Sequence, residues 1–303
     1  MTTLNASLVL QAAASAAAGQ TYPPATLYVV ATPIGNLADL SFRALHVLWL
    51  VDAIACEDTR QSGALLRHFG IDKPLMPVHQ HNEHEAARAV LARLERGERV
   101  AYVSDAGTPG ISDPGAILVA AAVAAGYRCL PVPGASSALA ALSVAGDTEG
   151  GPFQFVGFLV ARGAERLRAL QRIADSVHTQ VLFEAPHRIE ALALSLAQLC
   201  GPRRVTLCRE LTKQFETVVT LSCGDLPAWL GADANRTRGE FALVVHARAA
   251  AVADAQAAPY DAMLRILMAE LPLKQAVALA SRLSGAARNA LYERALELKQ
   301  DGE

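Results

Sequence analysis

Residues 100–116 read VAYVSDAGTPGISDPGA. The apolar run Val100 to Val103 has the composition of a buried strand, and an Ala/Val-rich helix begins near Ala116. Between them, three glycines and two prolines fall within Gly107 to Gly115, too many for either element to continue. The result is a fixed loop at the carboxyl end of a strand, where open α/β sheets place their ligands. Asp105 and Asp113, with Ser104, Thr108 and Ser112, give this loop polar groups to aim at a ligand.

The same strand–loop–helix unit recurs on both sides. Upstream, strands are predicted at Leu27 to Ala31, Ala53 to Cys56 and Leu75 to Val78, and amphipathic helices near 41–50 and over 83–96. Downstream, Cys129 to Val132 leads through Pro133 and Gly134 into a helix ending near Val144. Such alternation implies parallel pairing with helices on the sheet faces. The glycines and acids of 146–152 predict a domain linker. Beyond it, strands are expected over 153–158, 180–184, 205–210, 216–222 and 241–246. The close pair 205–210 and 216–222 suggests a hairpin in a mixed sheet. A low-charge linker (248–258) then precedes three short helices. The expected organisation is a disordered or loosely helical extension (1–24), α/β domains over 25–146 and 147–248, and a helical domain over 258–303.

The chain has 303 residues and is 52% hydrophobic, enough for more than one core. A net charge of −2 gives no global sign of a nucleic-acid partner, but residues 160–215 carry nine Lys/Arg against five Asp/Glu. Five cysteines without a C-x-x-C pair read as core residues of a reducing compartment. No apolar stretch is long enough to span a bilayer, and Ala12 to Ala18 lacks the basic flank of a signal peptide. The expectation is a cytoplasmic protein.

No dinucleotide fingerprint, Walker A loop, zinc-protease helix or nucleophile elbow is present. His79, His81, His84 and Glu83 lack usual metal-ligand spacing, so no metal is expected. The strand-end loops carry the chemistry instead. Pro33, Ile34 and Gly35 can bring backbone amides close to a ligand. Ser136 and Ser137 open a helix whose N–H groups can face one, although Ser136 reads equally as an N-cap. Glu57, Asp58 and Arg60 form either a general-base site or a self-neutralising ion pair. Glu184 with His187 and Arg188 makes a similar set in the second half, and Lys213 follows a later strand.

Together, the segments Ala31–Leu37 (ATPIGNL), Glu57–Arg60 (EDTR), Ser104–Pro109 (SDAGTP), Ser112–Gly115 (SDPG), Pro133–Ser137 (PGASS) and Glu184–Arg188 (EAPHR) resemble the tetrapyrrole methylase superfamily. Within it they are most similar to the branch that methylates the ribose 2′-hydroxyl of a cytidine in the decoding region of 16S rRNA. The resemblance runs in order from about Leu27 to His246 and on into the last 45 residues. It implies two αβα domains of the tetrapyrrole methylase type plus a small helical domain. It also implies a homodimer that takes S-adenosylmethionine as cofactor and the small ribosomal subunit as partner. The cofactor contacts it suggests are Pro33, Ile34, Gly35, Asp105, Gly107, Thr108, Ser136 and Ser137; Glu57, Arg60, His187 and Arg188 would meet the substrate. Asp58, Glu184 and Lys213 remain open as the base that activates the hydroxyl, whereas the aspartates of the 104–115 loop read as shaping that loop and meeting cofactor hydroxyl or amine groups. Gly110 stands where bulkier residues are common, and Ala185 where serine is common. Leu283 to Ala286 resembles the turn of a helix-turn-helix, suited to RNA contact or to dimer packing. The other readings are a precorrin-type C-methyltransferase and a non-catalytic cofactor-binding RNA chaperone.

Overall fold

In the computed structural model, residues 5–79, 82–248 and 258–300 are described. Two five-stranded sheets occupy the chain up to His246, which forms one compact unit, and the chain from Ala247 onward forms another.

The first sheet contains β1 (Thr26–Val30), β2 (Ala53–Cys56), β3 (Leu75–Pro77), β4 (Arg99–Val103) and β5 (Arg128–Val132). Their order is β3-β2-β4-β1-β5, and every pair is parallel, as the alternation implied. The β2 and β4 runs are apolar because both of their faces are covered. Helices α2 (Phe42–Leu50) and α3 (Thr59–His68) contribute to one core cluster, whereas α4 (Glu83–Glu95) and α5 (Ala116–Ala124) contribute to the other. Each fully buried Leu or Ile in these clusters stabilises the fold by about 1.5–3 kcal/mol.

The second sheet contains β6 (Phe153–Phe158), β7 (Thr179–Glu184), β8 (Arg204–Arg209), β9 (Thr217–Ser222) and β10 (Phe241–Val245), ordered β6-β7-β10-β8-β9. It is mixed: β6 and β7 are parallel and the remaining pairs antiparallel, including the expected β8–β9 hairpin. One face packs on α7 (Ala164–Asp175), α8 (Ile189–Cys200) and α9 (Leu226–Gly231). The other face receives α6 (Ser137–Val144), whose Ala138 and Ala141 join Val181, Cys208 and Ala242. Small alanines allow this close approach.

That packing changes two expectations. The boundary read at 146/147 separates α6 from the sheet it covers, so the two halves share a core. The linker itself is anchored: the buried Asp147 carboxylate accepts a 2.7 Å hydrogen bond from the Thr179 hydroxyl and faces His246 Nδ1 at 3.8 Å. The N-terminal extension also differs, because Ala6–Ala17 is a helix, α1. Asn5 caps it by accepting from the Leu8 N–H, and Ala13 and Ala17 are buried. Val9 and Leu10 pack on the cluster that holds Leu48 and Phe69. An uncharged, alanine-rich segment finds its stability in that apolar contact.

The second unit holds α10 (Ala258–Glu270), α11 (Leu273–Ser284) and α12 (Arg288–Gln300) around Leu264, Val277 and Leu291. Gly285 ends α11 at φ +71, a left-handed conformation that favours glycine. Most of the expected linker over 248–258 lies outside the described residues, as does His81.

Candidate functional site

The loops that leave β4, β1 and β5 are neighbours because those strands are consecutive in the first sheet. Backbone groups tie them together. Thr32 and Gly107 exchange N–H···O bonds of 2.9 and 3.1 Å, and the Thr108 hydroxyl donates to the Ala135 carbonyl at 3.0 Å. Gly107 permits this bridge at φ +85. Asp105 links the cluster to the end of β2: Oδ1 accepts from the Asp58 N–H and Oδ2 from Gln61 Nε2, both at 3.0 Å.

These loops form one wall of a cleft of about 420 Å³, lined on this side by Ile34, Ala106, Ile111, Ser112, Asp113 and Ser137. The opposite wall comes from the second sheet and includes Phe158, Phe183, Leu211, Glu240 and Ala242. Two pinch points hold the walls together. At one, the β6 bulge at Gly157 approaches Ser112 so closely that an added Cβ would lie 2.9 Å from the Ser112 hydroxyl. At the other, a Cβ on Gly35 would lie 2.6 Å from Lys213 Cγ and 2.9 Å from the Thr212 hydroxyl. Ser112, Glu210 and Thr212 all take positive φ there (+67, +52 and +66). Non-glycine residues hold that conformation only when their surroundings impose it, and such strain gathers at ligand clamps.

Of the cofactor residues expected from sequence, Ile34 and Ser137 line the cleft. Gly35, Asp105, Gly107 and Thr108 shape the wall through the contacts above, and Pro33 is buried in it. Ser136 occupies the N-cap position of α6 without a side-chain capping bond, so its hydroxyl is not used as an ordinary cap.

The three residues considered as bases are all engaged. Asp58 caps α3 and binds Arg60 through both oxygens, at 3.1 and 2.7 Å, and the Arg60 guanidinium holds its pKa down at about 2. Glu184 is fully buried between Arg166 and Arg188, with contacts of 3.2 and 2.8 Å, and accepts the Ala185 N–H. Lys213 bridges Glu210 and Glu240 at 3.0 and 2.9 Å; burial disfavours its charge, but these bonds win and raise its pKa. Asp58, held near 2, is a weak base, an amine that stays protonated is none, and the Glu184 oxygens are taken up by Arg166, Arg188 and the Ala185 N–H. The Asp58–Arg60 pair is one of the two readings the sequence left open, whereas Arg166 and Glu240 reach Glu184 and Lys213 from elements that sequence spacing does not connect.

The substrate residues expected beside them divide similarly. Arg188 also donates to the Leu159 carbonyl, so it braces the wall. Arg60 has an exposed side chain paired to Asp58, and His187 is exposed on the turn before α8. Burial first, and then the charge of Asp105, raises the Glu57 pKa. Sequence alone assigns Asp113, with Asp105, to shaping the loop and meeting the cofactor, and it does not single out Phe158. Burial first, and then the charge of Glu57, pushes Asp113 up to about 6, against a hydrogen bond from Ser104. Phe158 is 56% exposed in the cleft with its ring edge-on to Phe183, centroids 5.5 Å apart. An exposed aromatic at a strand end beside a glycine bulge was the available signal.

Residues 26–227 match the family model described as Tetrapyrrole (Corrin/Porphyrin) Methylases, and 254–299 the one described as RsmI C-terminal HTH domain. The chain belongs to the tetrapyrrole methylase family. A relative named ribosomal RNA small subunit methyltransferase I from Pseudomonas aeruginosa is 47% identical over 274 residues, covering 90% of this chain and 97% of the relative. Relatives of the same name from Escherichia coli O157:H7 (47%; 89% and 94% covered) and Neisseria meningitidis serogroup B (44%; 90% and 94%) are similar to it. Solved structures with the same fold include the methyltransferase CobJ (TM-score 0.56, 19% identity, 74% and 94% covered). Another is uroporphyrin-III C-methyl transferase from Thermus thermophilus complexed with S-adenyl homocysteine (TM-score 0.52, 17% identity, 73% and 97% covered). The likeness to those structures shows the fold alone.

Proposed function

We propose that this family member transfers a methyl group from S-adenosylmethionine to the ribose 2′-hydroxyl of a cytidine in 16S rRNA of the small ribosomal subunit. The observation that carries this is near-full-length similarity, helical unit included, to relatives named for small-subunit ribosomal RNA. The low-identity tetrapyrrole enzymes lend a fold and not a substrate. We place the protein in the cytoplasm as a homodimer; no described helix is long and apolar enough to cross a membrane.

The cleft fits the cofactor. Its volume lies in the range of small-molecule sites, and its lining mixes apolar side chains with a few polar groups. The Thr212 hydroxyl, beside cleft-lining Leu211, is buried without a partner, and a bound polar ligand would satisfy it. Ile34, Phe183, Leu211 and Ala242 would enclose the apolar parts of the cofactor, and Ser137 would meet its polar groups at the start of α6. When bound, the cofactor supplies an electrophilic methyl group on a sulfonium. The chain's own residues align the hydroxyl with that methyl, exclude water and accept a proton. Phe158 offers a face on which a base lifted out of its stack can rest.

The test is transfer of labelled methyl from S-adenosylmethionine to purified 30S subunits, to free 16S rRNA and to a uroporphyrinogen. Label in ribosomal RNA supports the proposal. Label in the tetrapyrrole alone contradicts it, and cofactor binding without transfer to any of the three leaves the RNA-chaperone reading.

A further inference from the structure

With Asp58, Glu184 and Lys213 all held in ion pairs, the reaction still needs a group to take the hydroxyl proton. Among the described residues, Asp113 is the acidic residue on the cleft lining for which no ion pair is formed. The groups acting on it are the Ser104 hydroxyl and the carboxylates of Glu57 and Asp105, with no cation among them.

Its position is fixed from both sides. Ser112 before it is set at φ +67 against the Gly157 bulge of the opposite wall. After it, the Pro114 carbonyl accepts from the Tyr102 hydroxyl at 2.6 Å, and the Gly115 N–H donates to Glu83 at 2.6 Å. Gly115 has φ +118, and a Cβ there would strike the Tyr102 ring at 2.1 Å, so the loop has no slack. A carboxylate on a braced loop of the cleft wall, with no cation among the groups acting on it, is placed to serve as a general base for a hydroxyl brought within hydrogen-bond reach.

We propose that Asp113 is the proton acceptor in methyl transfer. This rests on the ribose-methyltransferase reading above. As the 2′-oxygen bonds to the methyl carbon, the carbon–sulfur bond breaks and its electron pair returns to sulfur, neutralising the sulfonium. The hydroxyl proton passes to an Asp113 carboxylate oxygen and leaves to water with the product. An acid with pKa near 6 is ionised at neutral pH yet basic enough to share that proton in the transition state.

Other charged groups near it are Glu57 beyond β2 and Asp105 on its own loop. On the opposite wall stand Glu184, neutralised by Arg166 and Arg188, and Glu240, paired to Lys213. Glu57 and Asp105 share the raised pKa, so substitution is needed to separate their titrations from that of Asp113.

The experiment is single-turnover methyl transfer to 30S subunits by the wild-type protein, Asp113→Asn and Asp113→Glu, from about pH 5 to about pH 9. Calorimetry with S-adenosylmethionine and thermal melts accompany it. The wild-type rate should fall about tenfold per pH unit below pH 6 or so. Asp113→Asn should be slower by about 100-fold or more at neutral pH and lose that acid limb, while Asp113→Glu recovers part of the rate. Cofactor affinity should stay within about threefold and the fold should persist, because asparagine is nearly isosteric. An Asp113→Asn protein with the wild-type rate and limb overturns the proposal. So does a defect confined to cofactor affinity, which would make Asp113 a cofactor ligand. A wild-type protein that methylates no ribosomal RNA overturns the parent reading itself.

Discussion

The two walls of the cleft solve the same problem, holding carboxylates near a ligand, in opposite ways. On the second-sheet wall every acid near the cleft has a cation: Glu184 has Arg166 and Arg188, and Glu210 and Glu240 share Lys213. On the first-sheet wall Glu57, Asp105 and Asp113 form no ion pair among the described residues, although the Arg60 charge counteracts the rise at Asp105. All three are pushed upward, chiefly by burial. Paired acids make a scaffold; unpaired ones are left able to exchange protons. The difference assigns bracing to the arginine-rich half and chemistry to the glycine-rich loops.

The largest effect expected from breaking that comparison is on the braced wall. Glu184→Ala leaves two guanidinium groups in a buried site and should cost about 3–5 kcal/mol, read from the urea midpoint. Next, Gly115→Ala forces a side chain into left-handed backbone and onto Tyr102. A loss of about 3 kcal/mol is expected from strain and overpacking.

On the unpaired wall the sign reverses. The folded protein holds the Asp113 proton up to about pH 6, above the usual carboxylate range, so ionising this group costs stability as pH rises from near 4 through 6. Asp113→Asn should therefore stabilise the fold at pH 8 by about 1–2 kcal/mol, allowing for solvent screening, and change nothing near pH 3. Melting curves at the two pH values check this. The smallest effect belongs to the aromatic face: Phe158→Ala should raise KM for the 30S subunit about tenfold, with cofactor affinity retained.

Much of this architecture was legible in the sequence. The strands Ala53–Cys56, Arg99–Val103 and Phe153–Phe158 stand where their composition placed them, because strand period and loop glycines are local signals. The loops that the family resemblance assigns to a cofactor converge because β4, β1 and β5 are consecutive in the sheet. What the sequence hid was non-local. Arg166 lies 18 residues from Glu184, and Glu240 lies 27 from Lys213, so the pairing that disarms both candidate bases appears only after folding. The docking of α1 on the first core and of α6 on the second sheet was hidden for the same reason, since alanine-rich helices carry a weak amphipathic signal.

The central claim is that this cleft methylates a ribose hydroxyl, and the nature of the product tests it most directly. 30S subunits lacking the modification are incubated with the protein and S-adenosylmethionine, and nuclease fragments of their 16S rRNA are weighed by mass spectrometry. One new methyl group is expected, on the 2′-oxygen of a single cytidine. A methyl group on a base, or an unchanged fragment map from active cofactor-binding protein, would contradict it.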